Sequence, residues 1–284
     1  MKNNYKIINK NLKLFKCYNK AKYRSLKYDN YFHIYEDAFS KLKKKKIIVV
    51  EIGVANGGSL FMWKKFFGKN AKIIGVDFNP SAKRWEKFGF EIFIGNQSDN
   101  KFWKSFFKKV GKIDIIIDDG GHTNEQMINT FNNCYRHIKD EGMLIFEDTH
   151  ASYMSEFGNP DKSSFINFCY SLVDKINLNF FDKKFFYDYQ NYIYKIEFYQ
   201  SISIFHVSRT KSVQATALDN GGIIVNANDY RLKDSKLFDF IENKKIILRN
   251  SYSNLLFKFV KKFYPFIKFL FFKLKLKKHN KYFH

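Results

Sequence analysis

The chain has 284 residues, 45% of them hydrophobic, enough for one α/β domain with a full core plus additional segments. Its formal charge of +23 is uneven: residues 1–46 carry 14 Lys and Arg against 3 acids, residues 251–284 carry 9 Lys and no acid, and residues 47–250 are left at +3. No apolar leader or bilayer-length apolar run is visible, and Cys17, Cys134 and Cys169 lack disulfide or metal spacing, which argues against a secreted or membrane-spanning chain and for the cytoplasm. Abundant Lys, Asn, Ile and Phe also follow from AT-rich coding alone, so the charge by itself names no partner.

Residues 1–46 read as a polar, helical segment, with Tyr35, Ala38, Phe39 and Leu42 at helical spacing. From Ile47 the pattern changes. Short β-branched runs at Ile47–Val54, Lys72–Asp77, Glu91–Gly95, Ile113–Asp118 and Met143–Glu147 alternate with helix-like stretches at Leu60–Phe67, Asn100–Lys109 and Asn124–Ile138. That alternation predicts a Rossmann-like, doubly wound α/β fold with a mostly parallel sheet. Residues 149–190 read as an irregular, lid-like insertion, and runs near Tyr192–Phe198 and Ser201–Val207 as an antiparallel closing pair. The expected organisation is a helical segment at 1–46, a domain at 47–212 and an extension at 213–284.

The first predicted strand runs into Glu51-Ile-Gly53-Val-Ala55-Asn56-Gly57-Gly58-Ser59 and then a helix. Glycines there let the backbone approach a ligand, and a helix N-terminus offers free amides. No Gly-Lys-Ser/Thr follows, which excludes a P-loop. The second strand ends at Asp77, where a carboxylate can accept both hydroxyls of a ribose. The third ends in Gly95-Asn96-Gln97-Ser98-Asp99, a polar cluster suited to an adenine edge. Together they predict an adenosine site, with Glu51, Gly53, Asn56, Gly57, Ser59, Asp77, Gln97, Ser98 and Asp118 as the binding residues.

Two strands end in paired acids: Asp118-Asp119-Gly120-Gly121-His122 and Glu147-Asp148-Thr149. In this fold the two strands are neighbours, so the carboxylates converge and repel. A hard divalent ion such as Mg²⁺ resolves that conflict and lowers the pKa of a substrate hydroxyl. His122, just past the Gly-Gly turn, is the candidate general base. The bland alternative makes Asp118 or Asp119 a helix cap and His122 a loop residue.

These motifs, with His33-Ile34-Tyr35 and Ser152-Tyr153, resemble the metal-dependent sugar O-methyltransferases of the mycinamicin and tylosin macrolide pathways over roughly residues 29–210. The resemblance implies a class I methyltransferase fold, S-adenosylmethionine (SAM) as donor and Mg²⁺ at the acceptor site. It also implies Asp119, Glu147 and Asp148 as metal ligands and His122 as base. Ala55 departs from the pattern, standing where many methyltransferases have a second glycine. The expected acceptor is a sugar hydroxyl of a glycan, nucleotide sugar or glycosylated metabolite, with no nucleic acid as partner. A nucleic-acid methyltransferase, a hydroxylase of the same superfamily and a catalytically silent methyltransferase-fold binding protein are the alternatives.

Residues 255–278 alternate Lys with Phe and Leu around Pro265, which would kink or split a helix. Two readings stand for this stretch: a peripheral anchor on an anionic membrane, or a helix packed on the domain or on a second copy in a homo-oligomer.

Overall fold

The computed structural model describes residues 10–158, 161–178, 188–213, 216–223, 235–236, 240, 254–277 and 279. Parts of the expected lid, the 213–250 stretch and residue 278 fall outside these. Chain contacts divide the protein into two units, Met1–Thr216 and Ala217–His284.

In the first unit, helices α1 (Lys13–Asn19) and α2 (Tyr31–Ala38) precede strand β1 (Ile48–Ile52) and helix α3 (Gly58–Phe67). Strand β2 (Lys72–Asp77), a 3₁₀ segment at Pro80–Phe88 and strand β3 (Glu91–Ile94) follow, then helix α4 (Asn100–Val110) and strand β4 (Ile113–Asp118). Helix α5 (Asn124–Cys134), strand β5 (Ile138–Phe146), helix α6 (Phe165–Asn177), β6 (Ile193–Tyr199) and β7 (Ile202–Val207) complete it. The sheet order is β3-β2-β1-β4-β5-β7-β6. Strands β1 to β5 pair in parallel, and β7 runs antiparallel to both β5 and β6.

The β-branched runs are buried on both faces, as a parallel sheet requires. Strand alternation divides them. Val49, Ile73, Ile115 and Ile145 face a core built with Leu14, Tyr31, Tyr35, Phe39 and Trp63. Val50, Ile74, Ile116 and Leu144 face Trp103, Phe106, Phe131 and Phe165 on the other side. The N-terminal helices therefore share a core with the sheet. Tyr35 and Phe39 meet the Trp63 ring at 5.1 and 5.8 Å between centroids, and each such buried ring contributes about 1.5–3 kcal/mol.

Three local differences from the sequence expectations have physical causes. Helix α5 stops at Cys134, and β5 begins already at Ile138, which pairs with Ile113. The start of β5 is masked by its polar Lys139-Asp140-Glu141. Within 149–190 stands a regular helix, α6, started by a Ser164 side-chain cap and burying Phe165, Cys169 and Leu172. His137 lies in a short 3₁₀ turn, its ring stacked on Phe107 at 3.8 Å rather than placed at a helix end.

In the second unit, helix α7 (Asn254–Lys277) continues through Pro265. Proline removes one internal hydrogen bond but permits a bent helix to continue. Among the described residues, no helix is long and apolar enough to cross a membrane.

Candidate active site

The carboxyl ends of β1 to β5 open onto one cavity of about 750 Å³. At the end of β1 the chain leaves the sheet through Gly53 at φ +87°. A Cβ on Gly53 would lie 1.9 Å from the Asp119 carbonyl oxygen, so the β1 and β4 loops touch here with no room for a side chain. The Gly53 N–H donates to Val76 O at 2.8 Å, and the Asp119 N–H to Ile52 O at 3.0 Å. Gly57, left-handed at φ +76°, caps helix α3.

Asp77 closes the floor of this loop. Its Oδ2 accepts the Val54 and Ala55 N–H groups at 2.8 and 3.0 Å, and its Oδ1 accepts the Asn79 N–H at 2.8 Å. A carboxylate so held is pre-oriented beside the cavity. Gly53, Asn56, Ser59, Asp77 and Gln97, expected from the sequence to bind a nucleoside, all line that cavity.

Other predicted nucleoside residues sit behind the wall. Glu51 is fully buried, accepting from Ser59 Oγ at 2.7 Å and Trp63 Nε1 at 2.9 Å. Asp118 is buried too: Gln97 Nε2 donates to both its oxygens, at 3.1 and 3.0 Å, and the Gly120 N–H donates to its Oδ1. As the last residue of β4, Asp118 points to the opposite side from Asp119, because strand side chains alternate. Gly57 packs against Trp85. The Ser98 N–H donates to Asn96 Oδ1, and Asp99 caps helix α4. These residues shape the site; they do not line it. Burial pushes the Glu51 carboxyl up to about 7 and that of Asp118 up to about 6.

The acidic motifs converge as expected. Donor atoms of Asp119, His122 and Asp148 lie within 4.8 Å of one another. His122 Nε2 stands 3.4 Å from Asp148 Oδ2 and 3.7 Å from Asp119 Oδ1. His122 Nδ1 is a buried atom without a hydrogen-bond partner. His122 and Asp148 adopt left-handed φ values of +56° and +54°, a conformation uncommon outside glycine and often found at functional sites. The Asp119 and Asp148 carboxylates, each about a quarter exposed or less, face the cavity as oxygen donors that fit a hard divalent ion, with the His122 imidazole beside them.

Glu147 has a different environment. It is 1% exposed and accepts from Tyr35 Oη at 2.5 Å and from Lys27 Nζ at 2.7 Å. Lys27 Nζ also donates to Asp119 Oδ2 at 2.6 Å and lies 4.0 Å from Glu51 Oε1. Burial alone would lower the Lys27 pKa, but the acidic neighbours, Asp119 first, outweigh it and hold the ammonium form. Burial and the Asp119 charge push the Glu147 carboxyl up, while the Lys27 ammonium and the Tyr35 hydroxyl draw it back down. Tyr31 Oη donates to Asp148 Oδ1 at 2.5 Å. Lys27 and Tyr31, which contact these carboxylates, were not singled out from the sequence, whereas Tyr35 was part of the His33-Ile34-Tyr35 motif.

A family profile described as a methyltransferase domain matches residues 50–149. The mycinamicin-pathway methyltransferase MycE, solved with Mg, SAH and mycinamycin VI, superposes with a TM-score of 0.62 at 25% identity, over 77% of this chain and 57% of that one. The fold is that of a methyltransferase. The 8-demethyl-8-α-L-rhamnosyl tetracenomycin-C 2′-O-methyltransferase of Streptomyces olivaceus is 30% identical over 157 residues, 52% of this chain and 41% of that protein. Mycinamicin VI 2″-O-methyltransferase of Micromonospora griseorubida is 30% identical over 131 residues, 44% of this chain and 32% of that protein. The matched part of this methyltransferase-fold chain thus spans less than half the length of these curated relatives. The sequence resemblance to the macrolide-sugar O-methyltransferases is upheld by both comparisons.

Proposed function

We propose that the chain is a SAM-dependent, divalent-metal-assisted O-methyltransferase acting on a sugar hydroxyl of a small glycosylated molecule, a nucleotide sugar or a glycan. One observation carries this reading: the loop after β1 and Asp77 share a single cavity with Asp119, His122 and Asp148, so donor and acceptor groups meet in one space. The relatives, named for O-methylation of glycosylated metabolites, support the acceptor class, and the Mg and SAH in MycE support both cofactors.

Bound SAM supplies an electrophilic methyl carbon, whose bond to sulfur breaks, with its electron pair, as the new carbon–oxygen bond forms. A divalent ion held by Asp119 and Asp148 lowers the pKa of a neighbouring hydroxyl when bound. His122 takes that hydroxyl's proton at Nε2, and Asp119 and Asp148 stabilise the resulting imidazolium. Asp77 orients the donor through a ribose. The cavity walls align the reacting atoms, which supplies much of the rate.

The test is transfer of labelled methyl from SAM to a panel of glycosides and nucleotide sugars, with and without EDTA. Transfer that requires Mg²⁺ and His122 supports the reading. SAM binding with no transfer to any hydroxyl acceptor would sink it in favour of a silent binding protein, and transfer to RNA or DNA would replace the acceptor class.

A peripheral location is part of the same proposal. On α7, Phe266, Phe269, Leu270 and Leu274 are 42–63% exposed among Lys268, Lys273 and Lys275, the composition of an interfacial helix on anionic lipid. Flotation with anionic but not zwitterionic vesicles is the expected result; equal flotation with both, or with neither, refutes it, and a concentration-dependent dimer instead favours the homo-oligomer.

A further inference from the structure

Ionisable side chains meet at the acceptor end of the cavity in two layers. The open layer is Asp119, His122 and Asp148, with side chains 21%, 22% and 25% exposed. The buried layer is Glu51, Glu147, Tyr35 and Lys27. The Lys27 side chain is 1% exposed, and its ammonium bridges Asp119 Oδ2 at 2.6 Å and Glu147 Oε1 at 2.7 Å. An ammonium donates only, so both oxygens act as its acceptors, and Glu147 Oε1 also accepts from Tyr35 Oη at 2.5 Å. Asp119 belongs to both layers: Oδ2 faces Lys27, while Oδ1 faces His122.

We propose that Lys27 is a built-in cation that takes the inner edge of the acidic cluster, withdrawing Glu147 from the metal ligand set and confining any divalent ion to Asp119 and Asp148. This rests on the metal-assisted reading above and changes the ligand assignment that the family resemblance implied. Two consequences follow. The acidic cluster is partly neutralised without metal, so the apo-protein keeps the site's shape. A divalent ion meets a fixed positive charge held by the same Asp119 carboxylate, so it binds weakly and stays exchangeable.

The experiment uses the full chain and Mn²⁺ as probe, with free Mn²⁺ counted by electron paramagnetic resonance and unfolding followed in EDTA and in Mn²⁺. Lys27→Met should bind Mn²⁺ at least roughly tenfold more tightly than wild type, since a like charge is removed and Glu147 is released. The same variant should lose thermal stability in EDTA and regain it with Mn²⁺, whereas wild type should shift little. If Lys27→Met does not fold, Glu147→Gln in the otherwise native chain decides. Mn²⁺ affinity within about threefold of wild type supports the proposal, whereas a loss of tenfold or more shows that Glu147 is a ligand and overturns it. Mn²⁺ binding by Lys27→Met no tighter than wild type, or by neither protein, also overturns it. A methyl-transfer assay on the same samples separates the two readings, because a chain that shows the Mn²⁺ difference but transfers no methyl group fails only as an O-methyltransferase.

Discussion

Gly53→Ala tests the link between the two halves of the cavity. The added Cβ would lie 1.9 Å from the Asp119 carbonyl oxygen and 2.9 Å from Gly120 Cα, both backbone atoms, with Gly53 at φ +87°. A left-handed conformation costs a residue with a Cβ roughly 1–2 kcal/mol, and overpacking that backbone must relieve costs roughly 1–3 kcal/mol more. The expected destabilisation is therefore about 2–5 kcal/mol, or a fall in Tm of roughly 5–15 °C for a domain of this size. The overlap can be relieved only by separating the β1 and β4 loops, which displaces Asp119 from His122 and Lys27. SAM affinity and methyl transfer should thus fall together, the latter by about 10²-fold for a displacement near 1 Å. Differential scanning fluorimetry, SAM calorimetry and a methyl-transfer assay on one preparation measure all three. A Tm within about 2 °C of wild type with unchanged SAM affinity would refute the reasoning, because no relaxed backbone of that energy should exist.

Three further outcomes are expected. Asp77→Ala removes the acceptor of the Val54, Ala55 and Asn79 N–H groups, and calorimetry should show SAM affinity down by about 10- to 1,000-fold, as for one or two charge-assisted bonds. His122→Asn should leave SAM affinity unchanged while lowering kcat by about 10²–10⁴-fold, read by single-turnover transfer. The Glu51 carboxyl is raised from 4.5 to about 7 by burial, so its neutral form is the one the fold prefers. Its contribution of roughly 3 kcal/mol is present below pH 4.5 and lost as pH rises through 7. Glu51→Gln should flatten the fall of Tm between pH 5 and 8; an unchanged slope would locate that dependence elsewhere.

The sheet was readable because its strands are buried on both faces and so appear as unbroken β-branched runs, Ile113–Asp118 being the clearest. The cavity-facing residues were readable because Gly53, Asp77 and Asp119 each lie at the carboxyl end of such a run. Which acid faces the cavity was not readable. Asp118 and Asp119 are adjacent, and only the strand's alternation, fixed by pairing with Ile52 and Phe146, turns the first inward to Gln97. Lys27 was hidden for a different reason: its partners Asp119 and Glu147 lie 92 and 120 residues away, and one lysine among the 14 Lys and Arg of residues 1–46 carries no local mark of burial. The resemblance reached His33-Ile34-Tyr35, and the structure shows why: Tyr35 donates to Glu147.

The stretch from Lys27 to Tyr35 also bears on modularity. The profile match begins at residue 50, yet the cation and both phenols that steady the acidic motifs come from upstream of it. A transplant of residues 50–149 alone would carry the carboxylates into a new host without their counter-charge and strip the aromatic cover from Trp63. Any chimera or minimal domain built on this scaffold should start ahead of helix α1, and the helices before β1 should be inherited together with the motifs they serve.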